Sequence, residues 1–521
     1  MFEYIELDKN IIMKFLKLTF SKLLFVGLSI ICQIIFFIAT NFWLSKSFWW
    51  VNDIFSLLSI IVLIVIINKD KPASFKLPWI VIVLIFPIVG LTLYFLFGNY
   101  NLSKKTIKKI NEEQEKLRQY CLENEEAMYY LMSQNYLGYG QARYIQNACN
   151  LPTYNHCYSE YLPTGEKFFE KLVYELKRAK SYIFMEYFII DNGYMLDTII
   201  EILEKKAREG VKVYFMYDDL GSVSKVSSDY DIKLRDKGIY ACKFNRIRPI
   251  ITVSHNNRDH RKITVIDGEI GFVGGANLAD EYINVTHPYG RWLDNAIMLK
   301  GSCVNSLIIM FIKLYNINSV KKLDVKDFIV EHQQYDSKGY ITPYSDEPSP
   351  LDRDYVGMNV YLNIINQAQE YVYITTPYLI VDFDFIEALV NASKRGVDVK
   401  IITPGIPDKK IIKILTKSNY EKLINNGIEI YEYIDGFIHS KMFICDDKIA
   451  TIGTINLDYR SFIHHFECGV WMYGTSCVKD MYSDYIYLIN NETNQITINN
   501  SKLNNGEKLI KNILKLFSPL L

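Results

Sequence analysis

The chain has no excess of either charge: 58 Lys and Arg are balanced by 58 Asp and Glu. No overall basic field exists to gather nucleic acid, so a nuclease is disfavoured and nucleic acid is not an expected partner. The nine cysteines form no CxxC pair and no Cys/His cluster with zinc spacing. Neither a disulfide framework nor a metal is expected. Cys32, in an apolar run, and Cys445, on an expected strand, read as packing residues. Charged residues make up only 22% and apolar residues 50%, the balance of an enzyme with a membrane segment attached. A length of 521 residues allows two or three domains.

Charge is also missing locally. Residues 23–44 contain none, and a helix of roughly 20 residues spans a bilayer core. A second apolar run covers residues 54–67, and a third, with Pro87 and Gly90 inside it, covers residues 77–98. Trp43, Trp49, Trp50, Trp79, Tyr94 and Tyr100 cluster near the ends of these runs, as interfacial belts do. The first run is too long for a cleaved signal peptide and lacks a small-x-small exit. Residues 1–100 are therefore expected to anchor the chain in the cell membrane through two or three helices. The lysines flanking the runs do not fix sidedness. Residues 103–134 lack Pro and Gly and predict one juxtamembrane helix within segment 101–150.

What the chain does contain is a repeat. His260-Arg261-Lys262-Ile263-Thr264-Val265-Ile266-Asp267 returns as His439-Ser440-Lys441-Met442-Phe443-Ile444-Cys445-Asp446. Each copy is followed, at the same interval, by a small-residue loop ending in asparagine: Gly274-Gly275-Ala276-Asn277 and Gly453-Thr454-Ile455-Asn456. The likeness extends upstream, where the β-rich run from Ala179 to Phe188 matches that from Ala368 to Tyr378. Helices follow both runs, ending in Gly210 and Gly396 as C-caps before the next strand. Helix, strand, helix, strand and a motif-bearing hairpin recur in one order. This predicts two α/β sandwich domains, each a mixed sheet between helical layers, related by a pseudo-twofold axis. They are placed at residues 151–332 and 355–521, with a linker at 333–354. Asp267-Gly268 reads as a two-residue hairpin turn, with Asp446-Asp447 as its counterpart. On the preceding strand His260 and Lys262 share one face, as do His439 and Lys441.

One such motif arises by chance; two with a shared offset and the same loop do not. Pooled, the motifs supply the candidate catalytic set His260, Lys262, Asp267, His439, Lys441 and Asp446. One imidazole can attack a phosphodiester to form a phospho-histidine, and the other can protonate the leaving alkoxide and then deprotonate the incoming hydroxyl. The lysines, with Asn277 and Asn456 as substrate-binding groups, would hold the non-bridging oxygens as charge develops. That is the work a metal does elsewhere, so no cofactor is expected. Asp267 and Asp446 lie more than about 10 Å along the strand from the histidines, where they are expected to lock structure. Asp294 and Glu467 occupy matching places after the two loops and are candidates to orient the imidazoles. His156, His255, His287, His332, His464 and His465 have no repeat partner; most read as structural, with His464 and His465 near enough to Glu467 to line the pocket.

At these residues the chain resembles the phospholipase D superfamily, and more closely its bacterial cardiolipin synthases. Further phrases carry the resemblance: Met185-Glu186-Tyr187-Phe188, the run from Gly275 to Tyr282, the run from Asn456 to Phe462, the membrane-exit stretch from Phe86 to Gly98 and the tail from Leu514 to Leu521. The resemblance implies phosphatidyl transfer between two phosphatidylglycerol molecules, giving cardiolipin and glycerol, with membrane lipids as partners. By analogy His260 is the nucleophile and His439 the acid/base. A phospholipase D hydrolase, a transferase with another alcohol acceptor and a non-catalytic scaffold are the alternatives. Leu509, Ile510, Ile513, Leu514 and Phe517 alternate with Lys508, Lys511 and Lys515, which fits either an interfacial helix or packing on the second domain.

Overall fold

The computed structural model describes residues 49–69, 71–98, 102, 104–247, 256–348, 351 and 354–518, with isolated positions between 31 and 42. Most of the first apolar run, with Cys32 and Trp43, lies outside the described residues, as do Tyr100 and His255.

Two sheets follow one plan. The first half supplies β1 (Tyr158–Leu162), β2 (Tyr182–Tyr187), β3 (Lys212–Asp218), β4 (Tyr240–Phe244), β5 (Ile263–Ile266), β6 (Ile270–Gly274), β7 (Arg291–Leu293) and β8 (Ala296–Lys300). Seven of these form a sheet in the order β1-β8-β6-β5-β2-β3-β4. The second half supplies β9 (Tyr340–Asp346), β10 (Tyr371–Thr375), β11 (Leu379–Ile380), β12 (Asp398–Pro404), β13 (Glu429–Tyr433), β14 (Gly436–Ile438), β15 (Met442–Cys445), β16 (Ile449–Gly453), β17 (Leu457–Asp458), β18 (Glu467–Tyr473) and β19 (Thr493–Gln495). Its eight-stranded sheet runs β9-β18-β16-β15-β10-β12-β13-β19, the same succession with one added edge strand. The expected linker at 333–354 therefore holds β9, an integral strand of the second sheet.

Alternation along each strand feeds two cores. Tyr182 and Phe184 of β2 face a central core shared by both halves, where the helices Val304–Asn318 and Cys477–Asn491 pack. Ile183, Met185 and Tyr187 face an outer core under the helices Gly165–Leu176 and Tyr194–Arg208. Both faces are covered, which is why these strands read as continuous apolar runs and not as alternating ones.

The motif hairpins differ in detail from the expected form. Ile266 pairs with Ile270, and Cys445 with Ile449, so each turn holds three residues, not two. Asp267 takes a φ of 55° and Asp446 a φ of 52°, left-handed values that Asp tolerates because its short side chain bonds locally. Asp267 accepts from the backbone N–H groups of Lys180, Ser181 and Tyr182 at 2.7–3.0 Å. Asp446 does the same for Gln369, Glu370 and Tyr371 at 2.8–2.9 Å. Their place in the candidate catalytic set is corrected accordingly: their oxygens cap the start of the central strands. Asp267→Ala or Asp446→Ala is expected to lower unfolding free energy by roughly 1–3 kcal/mol, read by thermal or denaturant unfolding, while the folded fraction keeps its turnover. Lost turnover at unchanged stability would return the aspartates to the chemistry.

At the N-terminal end, the helix Trp49–Asn68 packs on a bent pair, Ala73–Ile85 and Pro87–Phe97. Pro87 ends one helix and starts the next. A Cβ on Gly90 would fall 2.5 Å from the Ile82 carbonyl oxygen, so only glycine lets the two helices close on each other. Among the described residues no helix is long and apolar enough to cross a membrane. Residues 54–67 rise only about 21 Å against a hydrocarbon core of about 30 Å, and the third apolar run is split by its proline. The single juxtamembrane helix is also corrected: the chain folds there as Lys104–Leu117 and Glu125–Gln134, parted by a short 3-10 turn, with Tyr136–Cys149 following. Asn124 and Asn135 cap the later two by accepting from Ala127 and Gly138, a stop-and-start signal that absence of Pro and Gly concealed.

Candidate active site

His260 and Lys262 lie just before β5, not on it, and His439 and Lys441 just before β15. Freed from their own ladders, these segments pair across the two halves. The His260 N–H donates to the Phe466 carbonyl at 2.9 Å, and the His439 N–H to the Leu293 carbonyl at 2.7 Å. The strands β14 and β7, one from each half, extend the second contact. Arg261, between the motif residues, points away from the cleft to Glu186 at 2.8 Å. Arg258 holds Asp218 through three contacts of 2.8–2.9 Å. These buried pairs fix the approach to His260.

The orienting carboxylates also cross. His260 Nδ1 lies 2.9 and 3.0 Å from the two oxygens of Glu467 in the second half. His439 Nδ1 lies 2.6 Å from Asp294 Oδ2 in the first. A carboxylate only accepts, so each Nδ1 carries a proton and each Nε2 is left as the free base. Thr454 Oγ1 donates to Glu467 Oε2 and holds it in place. At the matching place Gly275 leaves room for Asp294, whose Oδ1 would lie 2.1 Å from a Cβ there. The two small-residue loops thus seat the two carboxylates, one by hydroxyl and one by absence of a side chain.

The rest of the cleft is buried and cationic. His260, His439, Lys262 and Lys441 are all buried. Lys262 Nζ donates to the His260 carbonyl at 2.6 Å, and Lys441 to that of His439. Burial, then the charges of Lys262 and Lys441, push His260 well below the ordinary imidazole range. Burial and Lys441 bring His439 to about 4. Burial lowers Lys262 to about 8 and Lys441 to about 7. Burial alone would raise Asp294, but His439 and Lys441 outweigh it and hold that carboxyl low.

Of the expected substrate-binding pair, Asn277 is engaged within the protein: Oδ1 accepts from Ile189 N–H at 2.9 Å and Nδ2 donates to the Tyr282 hydroxyl at 2.7 Å. Asn456 is buried, and among the described residues its Oδ1 has no hydrogen-bond partner. Several site residues carried no repeat signal. Trp292, Tyr282 and Phe437 ring His439 at centroid distances of 5.2, 5.5 and 5.9 Å. Phe188 and His465 flank His260 at 5.0 and 5.3 Å. Trp292 lies two residues before Asp294, and Phe188 closes the Met185-Glu186-Tyr187-Phe188 phrase; their closeness to assigned residues was the only hint.

The family described as "Cardiolipin synthase, PLD-like domain" matches residues 172–298 and 361–489, one match per half, and "Phospholipase D-nuclease N-terminal" matches residues 57–99. A cardiolipin synthase of Alkalihalophilus pseudofirmus is 32% identical over 512 residues, covering 97% of this chain and 99% of that one. The chain belongs to the cardiolipin synthase family of phospholipase D-like proteins. A cardiolipin synthase of Halalkalibacterium halodurans is likewise 32% identical, covering 93% and 97% of the two chains. An uncharacterized Streptococcus mutans protein is 40% identical over 88% of this chain and 98% of its own. The fold is shared with phosphatidylserine synthase of Haemophilus influenzae Rd KW20, at a TM-score of 0.57 and 15% identity over 73% of this chain and 97% of that one. Both matched repeats carry the crossed histidine–carboxylate pairs, one member of each pair in each repeat.

The lysine values give a pH prediction for this family member. With Lys441 at about 7 and Lys262 at about 8, the empty site loses cationic charge as pH rises through those values. A bound phosphodiester anion favours the charged lysines and raises both. The alkaline limb of kcat/KM, which reports free enzyme, should therefore lie near pH 7–8, and that of kcat above it. Coincident limbs in the two profiles would contradict this assignment.

Proposed function

We propose that the protein is a cardiolipin synthase that moves a phosphatidyl group between two phosphatidylglycerol molecules through a phosphatidyl-histidine. The observation that carries this reading is the pair of crossed carboxylates, which leaves two imidazole Nε2 bases in one buried cleft with two lysines. His260 Nε2 attacks phosphorus and the bond to the glycerol oxygen breaks, with His439 supplying that oxygen's proton. Burial and Lys441 keep His439 deprotonated in the empty cleft; the entering phosphodiester anion offsets the lysine charge, so His439 takes up this proton from solvent as the substrate binds. His439 then takes the proton of the second lipid's terminal hydroxyl, whose oxygen displaces His260. The lysines and Asn456 hold the non-bridging oxygens as negative charge grows. Burial keeps bulk water, the competing acceptor, away from the intermediate.

A lipid substrate requires the cleft to sit at a bilayer surface. Leu57, Ile60, Ile61 and Ile64 of the helix Trp49–Asn68 are exposed, as are Leu84, Ile85, Phe86 and Phe95 of the bent pair. The amphipathic helix Asn505–Phe517 packs beside Ala73–Ile85 and exposes Leu509, Ile510 and Ile513. These apolar faces support seating on the membrane. The test supplies purified protein with phosphatidylglycerol alone and excess EDTA, and measures lipid products and released glycerol. Cardiolipin and glycerol in equal amounts are expected; phosphatidic acid as the main product would make the enzyme a hydrolase.

A further inference from the structure

His465 has no role in the reaction above. It is 7% exposed, and among the described residues neither ring nitrogen has a partner within hydrogen-bond length. Burying an imidazole without partners costs free energy, so its position asks for an explanation. Its Nδ1 lies 3.6 Å from Glu467 Oε1, and Glu467 Oε2 lies 2.9 Å from His260 Nδ1. Donor atoms of His260, His465 and Glu467 all lie within 4.8 Å of one another. Zinc binds imidazole nitrogen and carboxylate oxygen at about 2.0–2.2 Å, so the edges of its tetrahedron measure about 3.3–3.6 Å. The two imidazoles approach the carboxylate through different oxygens, one closer than that edge and one at its upper end, so small side-chain shifts bring the three donors to one cation.

We propose that His260, His465 and Glu467 form a site for a borderline-soft divalent cation of the Zn2+ class, and that its occupancy reversibly switches the enzyme off. Two imidazoles and one carboxylate are the donor set of an open zinc site, with the fourth position left to water. Nitrogen donors select Zn2+ over Mg2+ or Ca2+, which prefer oxygen. Binding replaces the Nδ1 proton of His260, which passes to solvent, and engages the carboxylate that orients the ring. The Nε2 lone pair of a metal-bound imidazole is a poorer nucleophile, so the first displacement stops. That inhibitory step rests on His260 being the nucleophile; the binding itself does not.

The full chain in detergent micelles supplies two independent readouts. In metal-free buffer with phosphatidylglycerol, Zn2+ should inhibit, EDTA should restore turnover, and Mg2+ at the same concentration should do nothing. With His465→Gln or His465→Asn, each compared with its own uninhibited rate, the half-inhibiting Zn2+ concentration should rise about tenfold or more, since one of three ligands is gone. Without lipid, Co2+ titration of the wild type should produce the intense visible band of a tetrahedral site, saturating near one equivalent and lost in both variants. Zn2+ should also raise the unfolding temperature of the wild type more than that of either variant, and each variant's own cooperative unfolding transition shows that it is folded. A Co2+ band and a Zn2+ sensitivity unchanged by both substitutions would overturn the proposal. If the His465-dependent band forms but no cardiolipin is ever made, the metal site stands and the transferase reading falls.

Discussion

Replacing His260 with Ala should lower cardiolipin formation by roughly 10⁴-fold or more, because removing a nucleophile leaves only binding and charge stabilisation. His439→Asn should be nearly as slow in steady turnover, by roughly 10²–10⁴-fold, but for a different reason. It keeps the attacking ring and its Glu467 partner at 2.9 Å, while the group that activates the second alcohol is gone. Mixed with phosphatidylglycerol carrying a labelled phosphate, His439→Asn should accumulate a protein-bound phosphatidyl group. His260→Ala should accumulate none. Label on the His260 variant would exchange the two roles, since the halves differ little in geometry. A His260→Ala protein with undiminished turnover would remove covalent catalysis altogether.

The second large effect concerns the crossed carboxylates. Glu467→Gln and Asp294→Asn keep the side-chain volume of groups that are fully buried, so the fold should survive. An amide presents a donor as well as an acceptor, and it no longer fixes the proton on Nδ1. A serine-protease triad altered in this way loses about 10⁴ in kcat, and each variant here should lose roughly 10²–10⁴. KM should change little, because neither carboxylate faces the lipid. The two should fail at different steps. Glu467→Gln disarms His260 across the interface and should slow adduct formation. Asp294→Asn disarms His439 and should slow adduct resolution, so it should resemble His439→Asn in the labelling experiment. Adduct formation slowed no more by Glu467→Gln than by Asp294→Asn would contradict this crossed division of roles.

Much of this was legible in the residues because a repeat restricts chance. The paired His260/Lys262 and His439/Lys441 followed from a shared offset, and the duplicated sheets and the two candidate carboxylates from the matching order of the halves. Partner choice did not follow: Glu467 serves His260 and Asp294 serves His439, and pairing across 207 and 145 positions of chain leaves no periodic trace. The aspartates at the turns were placed with the chemistry by their motif, although their distance from the histidines already argued for structure. Residues such as Trp292 and Tyr282 were hidden because they occur once, whereas His465 was placed at the pocket by its nearness to Glu467. An aromatic wall is built from whatever loops reach it, and no spacing rule marks it. The broken juxtamembrane helix shows the limit of reading absences: asparagine caps ended it where no Pro or Gly stood.

Phe75, at the start of the bent helix pair, is buried in the core of the second half, with its ring 5.5 Å from Tyr459 and 5.9 Å from His464. His464 immediately precedes the third imidazole of the cleft. Shortening the chain to begin after Gly98 would pull this ring out and leave a hole beside the reaction chamber. Retaining the residues from Ala73 onward should preserve a working catalyst in micelles, whereas cutting beyond them should give one that is less stable and slow on every lipid offered.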